Sequence, residues 1–455
     1  MTLLLVGDIL MAVVALFLGL YFWAAGDAWL DFSLDFIIQR PPLWFFLLPI
    51  IWLVLIIDLY DTRKVNNYRA TIRGILIATA IGLVIYSAVY FTSPPKSLPR
   101  RGVAAFLVGA CALTLTWRMA SIRISTRSQA SRRVMLVGAG DTGIALLKVI
   151  NRQDPPPYQV LGIIDDDPIK QGLTMENYPV VGGSECLVEV SEQEKLVELL
   201  VAITGEMQGG MFQSLLAAQE RGILITRMPF AYEEILGRVP IHHLEANWIL
   251  RTFVDQARVS RFYVLTKRLV DLMGGLVGVG MTILIFPFVG IATLIDSGRP
   301  ILYVQTRAGS GGQPYRMIKF RTMRQDAEAD GQPQWATEND ERATRVGKIL
   351  RRTHLDELPQ FLNVLRGEMS LVGPRAERPE LVDYFQEYVP FYRARLLIKP
   401  GITGWAKINY GYAVTIDDTA TKLEYDLYYI KNRNILLDIL IVLRTIASVF
   451  GFRGR

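Results

Sequence analysis

Long apolar stretches dominate the first 120 residues of the chain. Four of them approach the ~20 residues that a helix needs to cross the hydrocarbon layer of a membrane; they are Leu3–Trp23, Leu43–Leu59, Gly74–Phe91 and Gly102–Trp117. Aromatic residues stand near the ends of these runs, as is typical of membrane interfaces. Buried core helices are the alternative, but four such runs in series favour four transmembrane helices over residues 1–120.

Loop charges predict how these helices are oriented. The loop after the first run carries Asp27, Asp31 and Asp35 against a single Arg40, whereas arginines and lysines prevail after the second and fourth runs. Because basic loops remain in the cytoplasm, the residues after 118 and both termini are expected there. The sequence thus predicts a multi-pass protein whose non-membrane parts are cytoplasmic.

Residues 130–235 show short β-branched runs that alternate with helical stretches. One of them, "RRVMLVGAGDTGIALLKVI", predicts a strand, a turn and a helix, and its Gly138, Gly140 and Gly143 have dinucleotide-binding spacing. The acid that would hold a ribose about 20 residues further on is not well placed, since Asp165 comes later. We therefore predict a Rossmann-like domain of the CoA-binding or flavodoxin-like kind, either without a cofactor or with a regulatory nucleotide.

A further apolar run, Leu269–Ile295, follows a predicted linker over residues 236–260. Its flanks are basic on both sides, and Pro287 interrupts it, which removes a backbone hydrogen bond and bends a helix. A helix that enters and leaves by one face would keep both flanks in the cytoplasm. These features predict a re-entrant membrane hairpin over about residues 267–296.

Asp271 stands just inside this run, where an unpaired carboxylate is unfavourable. Lys267 and Arg268 precede it by four and three residues, a spacing that places them on the same helix face. We expect Asp271 to hold this basic pair at the membrane surface.

The composition of the chain argues against several kinds of partner and metal site. The chain has a net charge of +6 without a dense basic block, so a nucleic-acid partner is not expected. It has only two cysteines and three histidines, which argues against a disulfide framework and against a Cys- or His-ligated metal site. Any metal is expected to be a hard ion bound by oxygen.

Most of the candidate catalytic and phosphate-binding residues lie in "RRTHLDELPQFLNVLRGEMSLVGPR", residues 351–375. Pro359 and Gly367 are typical of a helix start and end, which places Asp356 and Glu357 at a helix N-terminus. Two carboxylates can hold Mg²⁺, and a carboxylate is also a competent nucleophile toward phosphorus. The cations expected to bind phosphate are Lys319, Arg321, Arg351 and Arg375. A surface helix with capping acids and solvated arginines remains the alternative.

The region 261–455 resembles the bacterial polyprenyl-phosphate sugar-phosphate transferases, the monotopic phosphoglycosyl transferases that initiate exopolysaccharide, capsule and lipopolysaccharide O-antigen synthesis. The matching segments, in the family order, are "KRLVD", "PILYVQTRAG", "YRMIKFRTM", "LRRTHLDELPQFLNVLRGEMSLVGPR", "KPGITGWAKINYG" and "YDLYYIKNRNILLDILIVLRTI". The preceding domains resemble the large form of the family. One departure is that the hairpin break, commonly Ser-Pro, is Phe286-Pro287 here.

The resemblance implies a mainly helical catalytic domain in the bacterial inner membrane, with its active site on the cytoplasmic side. It implies that Asp356 attacks a UDP-hexose, that Glu357 serves a Mg²⁺ ion or the acceptor, and that UMP leaves. The phosphosugar then passes to undecaprenyl phosphate. Membrane lipid and a second copy of the chain, as a homodimer, are the other implied partners.

Other functions remain open from the residues. The Gly-rich turn would suit a membrane-anchored oxidoreductase or sugar-nucleotide epimerase, although this leaves the Asp-Glu stretch unexplained. A scaffold or regulator of polysaccharide assembly without transferase activity is a second alternative. The sequence does not select the sugar; glucose and galactose are expected ahead of N-acetylhexosamines.

Overall fold

The computed structural model of the protein describes residues 2–25, 32–60, 68–92, 99–130, 132–205, 207–244, 248, 250–255, 260–324, 342–411 and 415–449. The chain divides into two compact units, Met1–Leu236 and Gly237–Val449. Asp27 and Asp31, which support the predicted orientation, lie outside the described residues. The orientation therefore stays a prediction.

The first unit begins with five helices: α1 (Thr2–Ala24), α2 (Leu34–Gln39), α3 (Leu48–Leu55), α4 (Tyr68–Thr92) and α5 (Arg100–Ala130). Their apolar faces meet in one cluster that includes Leu16, Phe45, Trp52, Ile75 and Phe106. Within the described residues, α1, α4 and α5 each contain a segment long and apolar enough to cross a membrane. Three of the four predicted spans therefore form long helices.

The second predicted span is shorter than expected. Leu43–Leu47 forms a 3₁₀ turn, α3 has only eight residues, and another 3₁₀ turn follows over Ile57–Tyr60. Pro49 stands in the first turn of α3. Because proline has no N–H to bond to the preceding turn, α3 begins here as a new helix and does not continue a helix from the residues before it. Eight residues rise about 12 Å, against a hydrocarbon layer of ~30 Å.

A buried ion pair joins α1 to α5. Arg118 Nη2 lies 2.7 Å from Asp8 Oδ2, and both side chains are fully buried. Arg118 also donates to the Leu59 carbonyl at 3.2 Å, and the Tyr60 hydroxyl donates to Asp8. Because each charge is paired and hydrogen-bonded, the group is tolerated in an apolar bundle.

The second part of this unit is a doubly wound α/β domain. Its strands are β1 (Arg133–Val137), β2 (Gln159–Ile164), β3 (Thr174–Met175), β4 (Tyr178–Gly182), β5 (Glu198–Val201) and β6 (Leu224–Arg227), and its helices are α6 (Asp141–Asn151), α7 (Leu187–Gln193), α8 (Gly209–Glu220) and α9 (Met228–Leu236). The strand order is β3-β4-β2-β1-β5-β6, parallel except for β3. The predicted Rossmann-like domain is confirmed.

The second unit is mainly helical, with two small sheets. Its helices are α10 (Arg261–Ser297), α11 (Arg345–Thr353), α12 (Phe361–Arg366), α13 (Pro379–Tyr388), α14 (Trp405–Asn409), α15 (Ile416–Asn432) and α16 (Ile435–Val449). Strands β7 (Leu302–Ala308) and β8 (Pro314–Phe320) form an antiparallel hairpin, and β9 (Ser370–Val372) pairs in parallel with β10 (Gly401–Thr403).

The segment predicted as a linker, 236–260, belongs largely to this unit. Its Val239, Ile241, Trp248 and Phe253 are buried in a cluster with residues of α13 and α15 such as Phe385. These residues of the predicted linker therefore pack with the second unit, which removes their apolar side chains from water.

Helix α10 contains 37 residues and continues through Pro287. It contacts its own unit along its full length: Lys267 near its start approaches Asp438 of α16, Thr282 donates to the Leu358 carbonyl, and Asp296 accepts from the Val346 N–H. Its other face exposes a stripe of apolar side chains that comprises Phe262, Leu265, Leu269, Met273, Leu276, Leu284, Phe288, Ile291 and Ile295.

Candidate active site

The Asp-Glu pair lies in a short turn between two helices. Helix α11 ends at His354, which adopts the left-handed conformation, and residues Leu355–Gln360 form a 3₁₀ turn that leads into α12. Gly367, with a φ of 83°, ends α12 as the sequence predicts. Asp356 and Glu357 occupy the first turn of the 3₁₀ segment, as expected for acids before a helix. We call Leu355–Gln360 the catalytic turn.

Contacts from α10 and β8 fix this turn. Thr282 of α10 donates to the Leu358 carbonyl at 3.1 Å. In α12, directly after the turn, the buried Asn363 amide donates to the Arg316 carbonyl of β8 at 2.8 Å and accepts from the Ile318 N–H at 3.2 Å. The turn is therefore held between the long apolar helix and the strand that carries Lys319.

Glu357 is held by two cations. Its Oε1 lies 3.1 Å from Arg375 Nη1, and its Oε2 lies 3.0 Å from Lys407 Nζ. Burial alone raises the pKa of Glu357, but Arg375 and Lys407 outweigh it and bring the pKa to about 2. Glu357 is thus ionised at any physiological pH and is a poor proton acceptor.

Asp356 is in a different environment. Among the described residues, none donates a hydrogen bond to its carboxylate, which lines a cleft beside Lys319, Arg307 and Arg375. Burial, and next the charge of Glu357, raise the pKa of Asp356 to about 6, although nearby cations oppose the rise. A carboxylate that is both unengaged and more basic than usual suits a nucleophile.

The cleft is cationic. Burial and then Arg307 lower the pKa of Lys319 to about 8, while Asp356 opposes this change. Lys319 lies over the Tyr303 ring, 5.1 Å from its centre, which supports the ammonium. The predicted phosphate ligands Lys319 and Arg375 are therefore brought together with Asp356 in one cleft.

The other two predicted phosphate ligands lie elsewhere. Arg351 donates through Nε to Thr322 at 3.1 Å and approaches the cleft without lining it. Arg321 is buried, and its guanidinium donates to the carbonyls of Ser297, Gly298 and Arg299. Strand β8 ends at Phe320, so Arg321 does not share the face of Lys319. The expectation of an anion-binding Arg321 is corrected: it caps the end of α10.

The basic–acid motif of α10 does not form the expected internal pair. Lys267 contacts Asp438 and the Tyr429 hydroxyl, at 3.0 and 3.1 Å. Arg268 donates to the last carbonyls of α12, those of Val364 and Leu365. Each cation is satisfied by a neighbouring element rather than by Asp271.

Asp271 instead holds β9. Its Oδ1 accepts from the Ser370 hydroxyl at 3.0 Å and the Leu371 N–H at 2.9 Å. The predicted hairpin break also differs, because α10 is one helix from Arg261 to Ser297 and Pro287 does not end it. The motif therefore attaches a single long helix to the rest of its unit.

The Gly-rich turn of the α/β domain has the geometry that its spacing predicts. Gly138 has a φ of 107°, and a Cβ at Gly143 would stand 2.1 Å from the Gly138 carbonyl oxygen; Gly140 precedes α6. Asp165 follows β2 directly, so it is better placed than the spacing indicated, but it accepts from the Ala139 N–H at 2.6 Å. Asp165 holds the turn, and nucleotide binding there stays a prediction.

Two cations at the cleft were not predicted from the sequence. Arg307, in "PILYVQTRAG", and Lys407, in "KPGITGWAKINYG", were not among the predicted phosphate ligands. Trp405 is buried and donates to the Gly237 carbonyl at 2.8 Å, so it is a core residue. Both missed cations lie within segments of the resemblance, which was the available signal.

The two carboxylates of the cleft, those of Asp356 and Glu357, are compatible with Mg²⁺ binding. The parts of the chain that the structure describes hold no group of three or more His, Cys, Asp or Glu side chains suited to a metal. Mg²⁺ needs fewer, because it is commonly bound by one or two carboxylates together with substrate phosphates and water. Asp356 and Glu357 would hold it, and the ion would offset the charge of a diphosphate.

Comparisons with known proteins identify the family of the chain. The sequence profile described as bacterial sugar transferase matches residues 262–452, and one described as CoA-binding domain matches residues 55–220. The UDP-N-acetylgalactosamine-undecaprenyl-phosphate N-acetylgalactosaminephosphotransferase of Aeromonas hydrophila is 41% identical over 49% of this chain and 52% of its own length. The match thus spans about half of that relative.

Two relatives match over more of their length. The undecaprenyl-phosphate glucose phosphotransferase of Komagataeibacter xylinus is 29% identical over 86% of this chain and 73% of its own. The UDP-glucose:undecaprenyl-phosphate glucose-1-phosphate transferase of Escherichia coli is 31% identical over 71% of this chain and 69% of its own. The chain therefore belongs to the family of bacterial polyprenyl-phosphate sugar-1-phosphate transferases.

Proposed function

We propose that the protein transfers a hexose-1-phosphate, glucose or galactose, from a UDP-sugar to undecaprenyl phosphate and thereby initiates synthesis of a bacterial surface polysaccharide. The observation that carries this proposal is the unengaged Asp356 carboxylate, which faces a cationic cleft on a turn packed against an apolar helix. A nucleophile at this place can reach a phosphate at headgroup level.

The reaction has two displacements at one phosphorus atom. A carboxylate oxygen of Asp356 attacks the sugar-bearing phosphorus, the bond to the bridging oxygen breaks, and UMP leaves with that oxygen. A phosphate oxygen of undecaprenyl phosphate then attacks the same phosphorus and releases the carboxylate. The product is undecaprenyl-diphospho-sugar, and neither displacement requires an external oxidant or reductant.

The cleft residues have distinct roles in these steps. Lys319, Arg307 and Arg375 would neutralise phosphate oxygens, because guanidinium and ammonium groups bind phosphate through charge-assisted hydrogen bonds. Mg²⁺, when bound, would stabilise the charge on the diphosphate and on the leaving UMP. Glu357 remains ionised, and its negative charge helps to keep the pKa of Asp356 raised. No step uses the Gly-rich turn, where Asp141 and Asp165 place negative charge.

The catalytic unit is proposed to sit on one side of the membrane. Helix α10 is about 55 Å long at 1.5 Å per residue, yet both of its ends contact the same unit. Its exposed apolar stripe would lie among lipids without crossing to the other side, so that a continuous helix takes the place of the predicted re-entrant hairpin. Exposed Leu436 and Ile439 of α16 extend this apolar surface.

Sidedness and assembly follow as further proposals. The loop charges support a cytoplasmic active site at the inner membrane, and the family resemblance supports a homodimer. A protease-accessibility map that placed residues after 300 outside the cell would exclude this arrangement.

N-acetylgalactosamine-1-phosphate is a second candidate cargo. The relative from Aeromonas hydrophila is named for this sugar, whereas the relatives from Komagataeibacter xylinus and Escherichia coli are named for glucose. The sugar panel below distinguishes these cargoes.

The test is UMP release from a panel of UDP-sugars by the full-length protein in detergent, with Mg²⁺ and undecaprenyl phosphate. We expect one donor to give UMP, and Asp356→Asn and EDTA to abolish release. The matched control is Asp383→Asn, since Asp383 is exposed and pairs with Arg393 away from the cleft. Undiminished UMP release by folded Asp356→Asn would refute the covalent mechanism.

A further inference from the structure

Lys407 supplies a cation to the catalytic pair from outside the catalytic turn. Its ammonium lies 3.0 Å from Glu357 Oε2 and 3.2 Å from the Ile402 carbonyl oxygen. The side chain is mostly buried, with 27% of its surface exposed. The resemblance assigns this residue no role, and the reaction steps above do not use it.

The position of this ammonium is fixed by its surroundings. Lys407 is on α14, whose first residue, Trp405, is buried and bonded to the Gly237 carbonyl. Ile402 is on β10, which pairs with β9, and β9 in turn is held by Asp271 of α10. Lys407 therefore connects Glu357 to strands β9 and β10, which Asp271 of α10 holds.

Both oxygens of Glu357 are occupied by cations of the chain itself, Arg375 on one side and Lys407 on the other. The two differ in exposure, because 63% of the Arg375 side chain is exposed. The arginine is thus largely in contact with solvent, whereas the ammonium of the mostly buried Lys407 lies beside the carboxylate. A divalent ion that approached Glu357 would meet the like charge of Lys407.

We propose that Lys407 is a positioning residue that occupies Glu357 as a resident cation and prevents the free enzyme from binding a divalent ion at the Asp-Glu pair. Asp356 and Glu357 would then hold a divalent ion only together with the diphosphate of the donor, whose oxygens would supply the missing ligands. This inference rests on the proposed function for the identity of the donor. The effect on metal affinity does not depend on turnover.

The test measures Mn²⁺ binding to the full-length protein in detergent without any donor, by the loss of the free Mn²⁺ signal in electron paramagnetic resonance. Removal of a positive charge beside a divalent-ion site strengthens binding, since like charges repel strongly at such short range. We expect Lys407→Met to lower the Mn²⁺ dissociation constant by roughly tenfold or more. Lys407→Arg, which keeps the charge, should restore the wild-type value.

The matched control is Lys399→Met, because Lys399 is exposed in the same segment and is not bonded to Glu357. It should leave the Mn²⁺ dissociation constant unchanged. Lys407→Gln is the second variant if Lys407→Met does not give a monodisperse protein. An unchanged or larger dissociation constant in folded Lys407→Met or Lys407→Gln would overturn the proposal.

The same samples separate this inference from the proposed function. Tighter Mn²⁺ binding in Lys407→Met, together with absence of UMP release from any donor, would support the resident cation and reject the transferase reaction. UMP release together with equal Mn²⁺ affinity in all variants would support the transferase reaction and reject the resident cation.

Discussion

Gly278 of α10 packs closely against the residue that follows the catalytic turn, and its replacement by alanine tests how that packing supports catalysis. A Cβ at Gly278 would stand 2.1 Å from Cγ of Phe361, and 2.2 and 2.5 Å from the ring's Cδ atoms. Phe361 directly follows the catalytic turn. The ring therefore cannot accept the methyl group without displacement.

The magnitude follows from contact distances. Carbon atoms in van der Waals contact lie about 3.5–4.0 Å apart, so the ring or the helix must withdraw by about 1.5 Å. Overpacking of this kind costs about 1–3 kcal/mol, and the better helix propensity of alanine offsets about 1 kcal/mol of it. A displacement of about 1 Å at a nucleophile can lower the rate by about 100-fold. We expect Gly278→Ala to remain folded and to lose most of its kcat.

The assay is UMP release with saturating UDP-sugar, alongside thermal unfolding in detergent. Gly280→Ala is the control, because no atom lies within 4 Å of a Cβ built there on the same helix. It should keep the wild-type kcat and gain slightly in Tm. Wild-type kcat and Tm in Gly278→Ala would refute the reasoning, since the close packing would then not position the turn.

Two further predictions concern the cleft and the end of α10. In the free enzyme, Asp356 must be ionised to attack and Lys319 must be protonated to bind phosphate, so kcat/KM should fall as the pH drops through about 6 and again as it rises through about 8; a flat profile between pH 5 and 9 would contradict these assignments. Arg321→Met leaves three carbonyls without their donor and should destabilise the protein by roughly 3 kcal/mol or more. Its KM for the UDP-sugar should stay unchanged, whereas a higher KM with normal Tm would return Arg321 to the phosphate site.

Much of the fold is readable from local patterns in the sequence. The order of strands and helices in the α/β domain, the positive φ of Gly138, and the ends of α12 all follow from neighbouring residues. The same holds for the placement of Asp356 and Glu357 before a helix. Each of these depends on backbone geometry or hydrophobic period within a few residues, and such preferences act before any distant contact forms.

The side chains whose partners differ from those expected have a common cause, which lies outside the local sequence. Arg321 was expected to bind phosphate together with Lys319, but β8 ends at Phe320, and the Arg321 guanidinium donates to carbonyls at the end of α10. Asp271 was paired with Lys267 by helical spacing, although residues of β9 and α16 compete for both groups. Local spacing shows which partners are within reach, and it does not show which distant partner binds more strongly.

The sequence by itself determined the apolar runs, the Rossmann-like pattern and the identity of the two carboxylates, because these depend on residue type and period. Only the tertiary structure decided that Asp356 is unengaged while Glu357 carries two cations. That difference arises because Arg375 and Lys407, 18 and 50 residues away along the chain, converge on one carboxylate. Charge interactions fall off with distance in space and not along the chain, so two adjacent acids acquired pKa values of about 6 and about 2.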